Sequence, residues 1–198
     1  VDYLDSLLLH RPDALMEADQ VAQAFEILHK SGKVRDFGVS NQNPMMMELL
    51  KTAVKQPLKV NQLQLSAAFT PSFEAGFHVN MEGPKAAVRD GSVFEYCRLT
   101  DTVIQAWSVL QHGYFKGNFV GKEEFAALNH VLNDLAKKYQ VTPTAIALAW
   151  VLRYPGKMQA VIGTTKPQHV LEAGKATTVT LTRKEWYQVY LAAGNDLP

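Results

Sequence analysis

The chain has 198 residues, 47% of them hydrophobic and 20% charged, with a formal net charge of +1 at pH 7. This is the composition of an ordinary globular domain, one or at most two. Its scattered basic residues argue against a nucleic-acid partner, no apolar stretch reaches the ~18 residues of a membrane span, and its one cysteine, Cys97, excludes an internal disulfide and fits a cytoplasmic compartment.

There is no charged-then-apolar leader. A start at Val1 rather than methionine suggests a processed chain, a proteolytic piece or the ordered part of something longer. Residues 4–10 (LDSLLLH) read as a strand buried on both faces, because the apolar positions are nearly continuous. Residues 17–31 carry Val21, Ala24, Phe25 and Leu28 at helical spacing, and Gly32 closes that helix. A short strand is expected over 36–41, and Asn43-Pro44 opens a helix to about Val54. Residues 59–66 (KVNQLQLS) alternate as a strand does. A long irregular stretch, roughly 67–90, follows with Pro71, Gly76, Gly83 and Pro84. Residues 91–100 predict a short helix and 102–108 a strand. Residues 123–139 predict a helix with Phe125, Leu128, Val131, Leu132 and Leu135 on one side. Thr142-Pro143 starts another, to about Tyr154. A strand over 158–163 and a helix from Pro167 to about Ala176 follow. Thr182 and Glu185 then form a capping box for the last helix.

Strand and helix thus alternate five times, which argues α/β with a parallel sheet. Periodicity alone leaves doubly wound and barrel versions open. Polar residues gather at the carboxyl ends of the strands: His10-Arg11, Ser40-Asn41, Gln62 with Gln64, Trp107-Ser108, and Gly163-Thr164-Thr165-Lys166. A TIM barrel carries its active site on that face. No G-x-G-x-x-G follows the first strand, which weakens a Rossmann reading. No facing carboxylates suggest a glycosidase, and no His/Cys spacing suggests a metal site.

The segments DYLDSLLLHRPD, SGKVRDFGVSN, VNQLQLS, IQAWSVLQHG and AVIGTTKPQHVLEA resemble, in order and spacing, the aldo-keto reductase family, above all its bacterial branch of oxidoreductases without an assigned substrate. The resemblance covers essentially the whole chain. It implies a (β/α)8 TIM barrel of the aldo-keto reductase type with only strands 4–8 and their helices present here. It also implies a single domain and reduction of aldehydes or ketones by NADPH. His10 matches the catalytic histidine that orients and polarises the carbonyl. A donor fixed there can stabilise the negative charge that develops on the substrate oxygen; a histidine satisfying a loop carbonyl is the plainer alternative. Ser40, Asn41 and Gln62 match the residues that hold the nicotinamide carboxamide, although Ser-Asn after a strand is also a common cap. Trp107 matches the aromatic beneath the nicotinamide ring. Ser108, Leu110 and Gln111 fall where the loop passes the pyrophosphate, but Val109-Leu110-Gln111 replaces the usual Pro-Leu-Gly. Gly113, Gly117 and Gly121 suggest a flexible lid there. Gly163, Thr164, Thr165, Lys166, His169 and Glu172 match the adenosine-phosphate region, where a helix start favours an anion. His169 stands where an arginine is usual, so NADP is expected with weaker discrimination against NAD.

The family's proton-donating tyrosine, with its lysine and aspartate, would precede the strand that opens this chain. No tyrosine here matches by motif. The resemblance therefore implies that about a hundred N-terminal residues are missing and that this fragment alone is nearly inert, since general acid catalysis is worth roughly 10²–10⁴-fold. The other readings are a non-catalytic nucleotide-binding regulatory relative and a phosphate-binding isomerase or aldolase barrel. A small-molecule carbonyl substrate and a monomer are expected. Phe69, Phe73 and Phe77 in the irregular segment suggest an apolar or aromatic substrate. Met45-Met46-Met47 reads as core plus chance.

Overall fold

The computed structural model describes residues 2–13, 16–77, 93–113 and 116–195. Five strands form one sheet in chain order, β1-β2-β3-β4-β5. They are β1 (Leu4–Leu9), β2 (Val34–Ser40), β3 (Leu58–Gln64), β4 (Val103–Trp107) and β5 (Met158–Ala160). By contacts the chain forms two compact units, Val1–Leu63 with Ser92–Gln105, and Gln64–Gly91 with Ala106–Pro198.

In the first unit β1 pairs parallel with β2 (Leu4↔Val34 to Leu9↔Val39) and β2 pairs parallel with β3 (Phe37↔Leu58, Ser40↔Gln62). Helix α1 (Ala18–Lys30) joins β1 to β2, and α2 (Pro44–Lys51) joins β2 to β3. Phe25 of α1 stacks on Phe37 of β2, centroids 4.1 Å apart, in a core with Val34, Val39, Met47, Leu50, Val54 and Leu58. Gly38 is required where it stands. A Cβ there would lie 2.5 Å from the Val60 carbonyl oxygen and 2.7 Å from Leu8 Cδ2. Asn43, not Asn41, caps α2, accepting from the Met46 N–H at 2.9 Å. Only Met47 of the methionine run is in the core, while Met45 is exposed. The fourth helix, α4 (Val93–Leu99), buries Phe94 and Cys97; burial pushes the Cys97 thiol up to about 11.

One expectation fails here. β1 is not buried on both faces: Leu4, Asp5 and Ser6 are exposed and Leu7–Leu9 only half-buried. An apolar run reports what a strand can bury, but β1 ends the strand order and pairs along a single edge.

In the second unit, α3 (Pro71–Phe77) lies inside the stretch expected to be irregular. Pro71 opens this helix, since proline is at home in a first helical turn. The remainder of the expected irregular stretch, 78–90, is outside the described residues. The predicted helix over 123–139 opens as one 3₁₀ turn, Glu123–Phe125, before α5 (Ala126–Tyr139). Helix α6 (Pro143–Leu152), capped by Thr142, is apolar all round, and Ala145–Val151 are all buried. Helices α7 (Pro167–Gly174) and α8 (Arg183–Ala192) follow β5, which is shorter than expected. The capping box of α8 forms: Thr182 Oγ1 accepts from Glu185 N–H, and the Glu185 carboxylate accepts from Thr182 N–H at 2.8 Å. Trp150 and Trp186 stack at 4.7 Å, each indole N–H donating to the other's carbonyl at 3.0 and 3.1 Å.

Candidate active site

In the first unit the predicted residues stand at the carboxyl ends of successive strands. His10 directly follows β1 and is exposed. Ser40 ends β2 and is buried; its hydroxyl donates to the Gln62 carbonyl at 3.0 Å and accepts from Asn41 Nδ2 at 2.8 Å. The Asn41 N–H also donates to the Gln62 carbonyl. Ser40 therefore acts in this geometry mainly by fixing Asn41. Gln62, half-buried, donates through Nε2 to Gln105 Oε1 at 3.1 Å. Gln105, on β4, had not been singled out from sequence. Asn61, on the opposite face of β3, is fully buried and donates to the Gln42 carbonyl and to Met47 Sδ. Strand alternation places it on the face of Leu63 and Leu65, among apolar residues, where its own polarity hides that burial.

Asn41 has φ +54°, in the left-handed region that non-glycine residues seldom visit. Ser108, the residue after β4, has φ +53°. Two of the four described non-glycine residues with positive φ thus follow directly on strands at predicted site positions. Such strain persists where surrounding structure holds it, often at functional sites.

The second unit holds a cleft of about 680 Å³, within the range of small-molecule sites. Trp107, Ser108, Leu110 and Gln111 line one side. Gly163, Thr164, His169 and Glu172 line another. Thr165 and Lys166 are exposed and are not among the lining residues. The N-cap of α7 is Lys166, whose side chain makes no capping bond. In the first turn of α7, Pro167 has no N–H and the His169 and Val170 N–H groups donate to the Lys166 carbonyl, which leaves the Gln168 N–H as the amide facing the helix start, where the dipole adds positive potential. Thr164 Oγ1 lies 3.3 Å from His169 Nδ1 and accepts from the Lys166 N–H. Gln111 Oε1 is buried with no hydrogen-bond partner among the described residues. These features suit a planar ring beside Trp107 and an anion at the start of α7, the two demands of a nicotinamide dinucleotide.

The loop after β4 is where the glycine spacing suggests a flexible lid. Its return leg is held: Phe119 is fully buried, its N–H donates to the Leu110 carbonyl at 3.0 Å, and Gln111 bridges Asn118. Gly113, Gly117 and Gly121 do take positive φ. Phe73, expected at a pocket mouth, is instead buried against Trp150, Tyr154 and Trp186, with centroids 5.4–5.8 Å away. It packs the core because α3 turns it inward. The side chain of Phe77 and all of Tyr114 lie outside the described residues. Among the described residues, no cluster of His, Cys, Asp and Glu is placed to hold a metal, and no helix is long and apolar enough to cross a membrane.

Comparison with known proteins places the chain in a family. Residues 1–190 match the Aldo/keto reductase family. The chain is 35% identical to oxidoreductase YdhF of Escherichia coli, aligning over all of this chain and 60% of that protein. It is 34% identical to a 6-dehydroglucose reductase of Agrobacterium fabrum, over 99% of this chain and 59% of that one. Among solved structures, the thermostable aldo-keto reductase Tm1743 superposes with a TM-score of 0.72 at 22% identity, over 96% of this chain and 60% of that one. An aldo/keto reductase from Klebsiella pneumoniae, solved with NADP and acetate, gives 0.70 at 23%, over 95% and 58%. The chain belongs to the aldo/keto reductase family of oxidoreductases and has that family's α/β fold. It spans about 60% of the length of the curated relatives it matches.

Proposed function

We propose that the protein reduces a small aldehyde or ketone with NADPH, accepting NADH less well. The observation that carries this reading is the cleft of the second unit, where an indole, a left-handed serine, the Thr164 hydroxyl and His169 of α7 line one cavity. The bound dinucleotide supplies the hydride. Trp107 offers the face against which its nicotinamide packs, and the Gln168 N–H with the Thr164 hydroxyl holds its phosphates. The sequence resemblance assigns Asn41 and Gln62 to the nicotinamide carboxamide; within the first unit Ser40 orients Asn41 and Gln105 orients Gln62.

His10 donates a hydrogen bond to the substrate oxygen, holding the carbonyl in line and stabilising the charge that grows on it. Its exposure at the strand tip leaves the imidazole accessible to substrate. In the same reading β1–β5 correspond to the last five strands of the family barrel, on the order of the sequence motifs. The proton-donating tyrosine then lies outside this chain. Tyr190, Tyr139 and Tyr96 are engaged elsewhere, with Glu74, Glu185 and Lys51, and this chain by itself is nearly inert.

The names of two relatives, both 6-dehydroglucose reductases, and the loss of Phe73 from the argument for an aromatic substrate favour testing keto-sugars beside aromatic aldehydes. The decisive experiment assays the full-length protein with NADPH on such a panel, wild type against His10→Gln. Turnover by wild type, with kcat/KM lower by about 10²–10³ in the variant, is the expected result. Tight dinucleotide binding without turnover of any carbonyl would instead establish the non-catalytic, regulatory alternative.

A further inference from the structure

Asn129, on α5, is buried at 8% exposure, and every hydrogen bond given for its side chain goes to the backbone of one short segment. Its Nδ2 donates to the carbonyls of Phe119 (2.9 Å), Lys122 (3.0 Å) and Phe125 (3.1 Å), and its Oδ1 accepts from the Gly121 N–H at 2.8 Å. Two amide hydrogens serve three carbonyls, so one is shared, and the side chain has no donor left for a ligand. A side chain needed only to fill space here would be apolar, since burying an amide is offset only by the bonds it makes.

What those bonds fix is the return leg of the loop after β4. Asn118 and Val120 of that leg line the cleft, as do Ser108 and Leu110 of the outgoing leg, to which the return leg pairs through Phe119 and Asn118. The outgoing leg has its own tether: Ser66, fully buried, donates from Oγ to the Gln111 carbonyl. Glycines 113, 117 and 121, all at positive φ, give this segment many accessible conformations. Two buried side chains therefore select one of them.

We propose that Asn129 and Ser66 are positioning residues for dinucleotide binding, holding the two legs of this loop in the conformation that forms the cleft wall. This rests on the functional reading above. Apparent affinity falls in proportion to the fraction of molecules in the competent conformation. Removing either tether lowers that fraction without touching the reacting atoms.

The test uses the full-length protein and its Asn129→Ala and Ser66→Ala variants. Quenching of tryptophan fluorescence gives the NADPH dissociation constant. Steady-state kinetics give kcat and KM, and hydrogen exchange follows residues 108–121 without dinucleotide. The expected result is a dissociation constant raised about tenfold or more, kcat at saturating NADPH within about twofold of wild type, and faster exchange in 108–121. Ser66→Ala removes a single hydroxyl, so it keeps the proposal testable should Asn129→Ala fold poorly. A folded variant that binds NADPH like wild type, or one that loses kcat with affinity intact, overturns the proposal. Wild-type protein that binds no dinucleotide overturns the functional reading itself, and the tether proposal with it.

Discussion

Glu185 offers a quantitative test of how the second unit is held together. Its carboxylate is buried at 5% exposure. Burial alone would raise its pKa. Hydrogen bonds from the Lys138 ammonium, the Thr182 N–H and hydroxyl, and the Tyr139 hydroxyl outweigh that and hold it at about 2, against an ordinary 4.5. At ~1.4 kcal/mol per pH unit, the difference is worth roughly 3 kcal/mol of folding stability. The Lys138 side chain is 59% exposed, so solvent screening lowers the expectation to about 1–3 kcal/mol. Because the folded value is depressed, this stability is present above pH 4.5 and drains away as pH falls toward 2. Glu185→Gln keeps the shape and an oxygen for the cap but cannot carry the charge. Urea midpoints of wild type and variant, taken from pH 7 down to pH 3, cancel the titration of all other groups. The gap between the two proteins should be largest at pH 7 and close progressively below pH 4.5. A gap that stays constant with pH would show that packing, not charge, is at work, and no gap at pH 7 would refute the reasoning outright.

Two further outcomes follow from close contacts and from the cleft rim. Gly38→Ala drives a methyl into the Val60 carbonyl oxygen at 2.5 Å, which only backbone movement can relieve. It should cost about 2 kcal/mol or more and lower the melting temperature by several degrees; an unchanged melting curve would mean β2 and β3 are not so close. His169→Arg places a permanent, bidentate cation beside Thr164 on the cleft wall. It should tighten NADPH several-fold while leaving NADH unchanged, as read by fluorescence titration; no gain for NADPH would remove His169 from the phosphate site.

Local chemistry was the legible part of the sequence. Asn43-Pro44, Thr142-Pro143 and Thr182-Glu185 announce helix starts because a cap and its partner lie within three residues of each other. Strand tips were legible for the same reason: Ser40-Asn41 and Trp107-Ser108 interrupt apolar runs. Burial was less so. The leucines of β1 are the same whether one edge or two is paired. Phe73 carries no mark of facing a tryptophan pair rather than a pocket. Asn129 was invisible because its partners are carbonyls and one amide N–H, and main-chain groups leave no signature in side-chain identity.

The left-handed backbone at Asn41 and Ser108 bears on how this protein could be engineered. Glycine at either position would relieve backbone strain of about 1 kcal/mol or more, and a selection for heat resistance alone would reward it. The asparagine amide would go with the first exchange, and the wall beside Trp107 would slacken with the second. Screens for robustness should therefore be run together with a turnover assay, or they will harvest sturdier but idle variants.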